Sequence, residues 1–355
     1  MDAERKEMIL KIEDISKKFG KTTILSGISM EVEKGEIMGI VGASGCGKST
    51  LLGVIAGMLA PDGGKIMMNG KVISEECNVL APEKRHMNLV SQNFETCSHK
   101  TVYENIISGL KKSWFGKTED GELVPEVIKL LHLTGLENKY PSELSAGQRQ
   151  RTVVAAALVT KPEICSLDIG LRVEMRTQMA MLFRRLGTTV FYVTQDPAEA
   201  FFMADRVVIL NKGRIEQIDT PQNCFMNPKT ETAAALLGIG NRVPGYARVD
   251  GGEMIDIGGG VCRTLGRDGI HENDRVTVRF RAENAVWTGA ERRENSFPVA
   301  VEGSFFEGDH YRVMAKMGMG ETVSFLSREY LEKGTEGYIS VDGGRVYVYG
   351  ARTAA

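Results

Sequence analysis

The segment 42-GASGCGKST-50 decides the fold. It follows the apolar run 37-IMGIV-41 and leads into 48-KSTLLGVIAGML-59, whose apolar residues recur at helical spacing. A strand, a glycine-rich turn and a helix in that order fit the pattern G-x-x-x-x-G-K-[ST] in the context it requires. Gly42, Gly45 and Gly47 let backbone N–H groups turn inward around a phosphate, and the helix N-terminus adds the positive end of its dipole. Ala43, Ser44 and Cys46 complete the loop, and Thr50 follows in the first helical turn. Lys48 is placed to reach the β- and γ-phosphates, and the Ser49 hydroxyl to bind Mg²⁺. A bare strand-to-helix turn would not need both the lysine and the hydroxyl.

Working outward, apolar strands alternate with helical periods up to about residue 240. The segment 149-RQRTVVAAALVTK-161 reads as a helix, 187-GTTVFYVTQD-196 as a buried strand, and 206-RVVILNKGRIEQ-217 as a hairpin around Asn211-Lys212-Gly213. This alternation predicts a layered α/β domain over 1–240. Beyond it, helical periodicity nearly disappears. Short Gly-punctuated runs such as 275-RVTVRFRAENAVW-287, 297-FPVAVEGSFFEG-308 and 311-YRVMAKMGMGETVSFL-326 predict a second, smaller all-β barrel domain over 241–355.

Composition narrows the partners. A hydrophobic fraction of 42% with 25% charged residues belongs to a globular chain with a full core. Lys+Arg 44 against Asp+Glu 46 gives a net charge of -2, which argues against nucleic acid as the main partner. The start MDAERKEMILKIEDISKKFG is charged from its second residue and reads as no signal peptide, and no run approaches the ~20 apolar residues that span a bilayer. The six cysteines are scattered without a CxxC pair and read as reduced cytosolic thiols.

Other segments carry a resemblance. The stretches 87-MNLVSQNFETCSHKTVYENI-106 and 141-PSELSAGQRQR-151 resemble the Q-loop and the signature motif of ABC transporter ATPases. Phe19 in KKFG is placed like the family's adenine-stacking aromatic, and 191-FYVTQDPAEAFFMADRVVILNKGRIEQ-217 is similar to its switch region. The resemblance covers residues from about 7 to 240. It implies an α/β P-loop nucleotide-binding domain that takes ATP and Mg²⁺, with Gln92 as a further Mg²⁺ ligand. It also implies that Ser145, Ala146, Gly147 and Gln148 hold the γ-phosphate of a nucleotide on an opposite protomer, so that two chains close head to tail. Read alone, LSAGQ is a helix cap. Ala146 stands where the family usually has glycine.

The resemblance fails informatively at 162-PEICSLDIGLRVEMR-176. The family runs from a strand to an Asp that orients Mg²⁺, then at once to a Glu that polarises the attacking water, then through a short loop to a second Asp. Here Asp168 stands alone. Aligned forward from Pro162 it is the first acid; aligned backward from 171-LRVEMR-176 it is the second. In both alignments Ile169 follows it, so the catalytic glutamate is absent. The switch histidine of the family is Gln195, which donates a hydrogen bond but takes up no proton near neutral pH. Turnover is therefore expected to be severely impaired while nucleotide binding survives.

The C-terminal segments 277-TVRFRAENAV-286, with Arg279 and Glu283, and 301-VEGSFFEGDHYRV-313 resemble the TOBE domain of importer ATPases. Such subunits form homodimers or paired ATPases and dock on two transmembrane permease subunits at the cytoplasmic face of the membrane, fed indirectly by a substrate-binding protein. This leaves an energy-coupling import subunit, or a non-hydrolysing regulatory partner. A soluble ABC protein of DNA repair or translation fits poorly, since the chain has neither a long coiled coil nor tandem ATPase cores.

Overall fold

The computed structural model describes residues 7–76, 78–90, 96–112, 123–168, 173–257, 260–318 and 320–350, with the side chains of 109, 111, 112, 173 and 174 excepted. It divides into two compact units, Met1–Asn227 and Pro228–Ala355.

In the first unit the strand Ile37–Val41 is buried at every position, as are Ile164–Leu167 and Thr189–Thr194. Apolar runs without alternation are what a parallel sheet covered on both faces demands. These strands lie in a six-stranded sheet ordered Arg214–Asp219, Arg206–Asn211, Ile37–Val41, Thr189–Thr194, Ile164–Leu167, Met87–Val90. Neighbours are parallel except the edge hairpin, which turns at Asn211-Lys212-Gly213 as the sequence pattern predicts. Gly213 donates its N–H to the Cys46 carbonyl at 2.9 Å and accepts from the Ser26 N–H at 2.9 Å, so the hairpin braces the phosphate loop from behind.

A second sheet, antiparallel, runs Thr22–Glu33, Met8–Phe19, Gly63–Met68, Lys71–Glu75, Asn78–Val79. The helix Lys48–Ile55 packs its Leu51, Leu52 and Ile55 into the core shared by the sheets, with Ile12, Ile40 and Val208. The helix expected over 48–59 is too long: it stops at Ile55. Arg85, only 1% exposed, supplies the reason. Its guanidinium donates to the carbonyls of Val54 and Ile55 at 3.2 and 2.7 Å, and to Ile73 and Leu80 at 3.0 and 2.8 Å. The helix's last carbonyls are thus satisfied from outside. Burial pulls this guanidinium down to about 10.

The second unit opens with the short helix Glu231–Leu236, and its other described elements are β-strands and three single 3-10 turns. One five-stranded sheet runs Val261–Arg263, Met254–Asp256, Asn241–Ala247, Arg275–Phe280, Tyr347–Gly350. Ala285–Gly289, Thr322–Ser327, Tyr311–Met317, Ser296–Phe306 and Glu336–Val341 close into a barrel, the smaller all-β domain that the alternating segments imply. The core of this unit includes Val278, Phe297, Val313 and Phe325. Among the described residues no helix is long and apolar enough to cross a membrane, and no cluster of His, Cys, Asp and Glu could hold a metal ion unaided. Among the described residues, Cys46, Cys97, Cys165, Cys224 and Cys262 form no disulfide.

Candidate nucleotide site

The phosphate loop is shaped by what its glycines avoid. A Cβ on Gly42 would sit 2.3 Å from the Leu210 carbonyl oxygen and 2.5 Å from the Cys46 sulfur. Gly47, at φ 108°, begins the helix from a backbone conformation that other residues rarely adopt. The loop so formed leaves Ser44, Gly45, Gly47, Lys48, Ser49 and Thr50 along one side of a cleft of about 710 Å³. Phe19, half exposed at the end of its strand, forms another side with Lys17 Nζ 5.7 Å from its ring. Lys48 is buried, its ammonium donating to the carbonyls of Gly42 and Ala43 at 2.7 and 2.9 Å and lying 3.8 Å from Cys46 Sγ. A buried cation on a glycine-rich loop that leads into a helix N-terminus suits a polyphosphate.

Asp168 closes the far side. It follows the buried strand Ile164–Leu167, its N–H donates to the Val90 carbonyl at 2.8 Å, and its Oδ2 accepts the Ser49 hydroxyl at 2.8 Å. A serine hydroxyl and a carboxylate meeting at a phosphate loop form a pair of hard oxygen donors, the kind Mg²⁺ takes. Gln195 is exposed at the end of Thr189–Thr194 and lines the same cleft.

The signature residues lie elsewhere. Ser145 caps the helix Ala146–Leu158: its hydroxyl accepts from the Gln148 N–H at 3.3 Å, and its own N–H donates to Gln148 Oε1 at 2.8 Å. Ser145 and Ala146 are exposed, Gly147 and Gln148 half-buried, and a Cβ on Gly147 would meet nothing. None of these residues lines the cleft. Gln92, expected as a Mg²⁺ ligand, lies outside the described residues, as does Ile169.

The cleft also holds residues that sequence reasoning missed: Ile24, Val193, Thr194, Asp196 and Glu199. Asp196 accepts from the Ala198 N–H at 2.9 Å and caps the helix Pro197–Met203. Asp followed by Pro at a strand's end is a legible helix start. Nothing in the sequence marks Glu199 as buried.

Comparison with known proteins places this geometry. The ABC transporter family model matches residues 25–169. A spermidine/putrescine import ATP-binding protein of Acetivibrio thermocellus is 36% identical over 313 residues, which is 86% of each chain. The chain belongs to the ABC transporter family. A second spermidine/putrescine import ATP-binding protein, from Bacillus cereus, is 40% identical over 242 residues, 66% of this chain and 73% of the relative. Among solved ABC structures, cbiO1 of Clostridium perfringens, described as part of the transporter complex cbiONQ, superposes with a TM-score of 0.54 at 25% identity, over 63% of this chain and 93% of its own. An ATP-binding cassette of an ABC transporter in its ADP conformation gives 0.55 at 25% identity, over 62% and 96%. Together with the α/β core and the barrel, these similarities identify an ABC import ATP-binding subunit.

Proposed function

We propose that this chain binds Mg-ATP in the cleft between the phosphate loop and Asp168, at a head-to-tail dimer interface, and that it hydrolyses the nucleotide very slowly. The observation that carries the binding half is the Ser49–Asp168 hydrogen bond of 2.8 Å beside buried Lys48. It supports the forward alignment, with Asp168 as the Mg²⁺-orienting acid and Ser49 as its partner. Bound Mg²⁺ supplies charge neutralisation for the phosphate oxygens. Lys48 and the loop N–H groups would bind the phosphates, Phe19 would stack on the base, and Gln195 would reach the terminal phosphate.

The hydrolytic half rests on the residue after Asp168. Ile169 has no proton acceptor to polarise water. Losing one preorganised catalytic group commonly costs about a hundredfold or more in rate, and here the switch position is altered as well. Two such chains, or this chain and an intact ATPase, would pair through the signature residues Ser145–Gln148, exposed or half-buried outside the cleft. The pair would dock peripherally on two permease subunits at the cytoplasmic face. The named relatives serve spermidine and putrescine import, which makes polyamines the first cargo to test for the assembled system.

Equilibrium titration of the purified chain with ATP, with and without Mg²⁺, tests the binding half. We expect Mg²⁺ to strengthen binding and Lys48→Ala to weaken it at least tenfold, the loss of about one charge-assisted contact. Equal binding by the parent and Lys48→Ala would overturn it.

A further inference from the structure

Among the described residues of the cleft, Glu199 is a buried acid to which nucleotide binding assigns no task. It is 8% exposed and sits on the helix Pro197–Met203. Its Oε1 accepts from Arg176 Nη2 at 2.5 Å. Its Oε2 accepts from the Tyr192 hydroxyl at 2.9 Å and the Thr194 hydroxyl at 2.6 Å. A carboxylate holding a guanidinium and two hydroxyls has most of its lone pairs engaged, which suits an anchor better than a base.

What it anchors is legible in the next bonds. Thr194 Oγ1, while donating to Glu199, accepts the N–H of Asp196 at 3.0 Å. The hydroxyl therefore bridges the residue before Gln195 to the one after it. Asp196 is fixed in turn as the cap of the same helix. Gln195 is left with an exposed side chain on a backbone pinned from both sides, lining the cleft that holds Lys48 and Ser49. Arg176 comes from the helix Val173–Leu186, which follows Asp168 in the chain. The ion pair thus ties the helix Val173–Leu186 to the switch turn.

We propose that Glu199, through Thr194, is a positioning residue that holds Gln195 at the terminal phosphate and so sets the preference of the site for ATP over ADP. This rests on the nucleotide-binding function proposed for the cleft. A group that touches only the γ-phosphate affects ATP and leaves ADP alone, because the two nucleotides share every contact made by the rest of the phosphate loop with the α- and β-phosphates.

The test compares ATP and ADP affinities, each with Mg²⁺, in the parent chain, in Glu199→Gln and in the near-isosteric Thr194→Val. Glu199→Gln removes the charge that holds Arg176; Thr194→Val removes the bridging hydroxyl and keeps the volume. We expect the ratio of ATP to ADP affinity to fall about tenfold in both variants, with ADP affinity unchanged within about twofold, the size of one charge-assisted contact. If Glu199→Gln does not fold, Thr194→Val carries the test alone. A purely structural role would lower both affinities together and leave the ratio at its parent value, which overturns the proposal. A parent that binds both nucleotides equally overturns it too. A parent that binds neither overturns the nucleotide-binding function itself, and the two failures are told apart by the parent's ADP titration.

Discussion

At the scale of single residues the central pair is Ser49 and Asp168. The sequence names each but leaves the role of Asp168 open, because the forward and backward alignments both end on Ile169. The choice between them needs a contact across 119 positions, the 2.8 Å bond between the two side chains. No local pattern encodes such a distance. If Asp168 orients Mg²⁺, then Asp168→Asn should lower the affinity for Mg-ATP about tenfold and leave Mg²⁺-free ATP binding nearly unchanged, since only the metal's charge partner is lost. Retention of the full Mg²⁺ effect in titrations of the variant would remove Asp168 from the site. Lys48 and the loop glycines are legible because their chemistry is local, fixed by spacing along a few residues. Glu199 is not, since its burial and its three donors come from Arg176, Tyr192 and Thr194, on two other elements.

At the scale of elements the sequence pattern places starts better than ends. The helix after the phosphate loop begins at Lys48 as the motif requires, yet Met58 and Leu59 continue the apolar period beyond its actual end at Ile55. Gly57, at φ 79°, is the available stop signal. The decisive partner, Arg85, reaches that end from a separate segment and binds the carbonyls of Val54, Ile55, Ile73 and Leu80. Arg85 therefore fastens the phosphate-loop helix to the antiparallel sheet. Arg85→Met keeps much of the volume but strips these carbonyls of a charged donor, at a cost of about 3 kcal/mol or more. The expected consequence is a fall in thermal midpoint of roughly 6 to 12 °C for a unit of this size. A shift below about 3 °C would show that water or neighbouring groups satisfy those carbonyls without it.

At the scale of the whole molecule, the change of texture along the chain foretells an α/β unit followed by a β unit. The compact units divide between Asn227 and Pro228, upstream of the boundary expected near residue 240. The helix Glu231–Leu236 accounts for the difference: in sequence it looks like a continuation of the first unit, but Ala234 packs with Ile239 and Tyr349 in the second. Its first residue is also tied there. Burial alone would raise the Glu231 carboxyl, but hydrogen bonds from Arg242 and Arg279 outweigh this and hold it below its ordinary value. Alternation of apolar and polar residues makes the barrel strands legible; the contacts that assign a helix to one unit or the other are long-range and silent in the local pattern.

The proposed function pairs a retained nucleotide site with the absence of a glutamate after Asp168. Steady-state phosphate release with saturating Mg-ATP tests this most directly, measured on the chain as it stands and on a variant in which Ile169-Gly170 is replaced by the Glu-containing segment of a relative. The predicted result is release from the parent at least about a hundredfold slower than from the restored variant. Ordinary turnover by the parent, abolished by Lys48→Ala, would contradict it and show that another group in the cleft activates water.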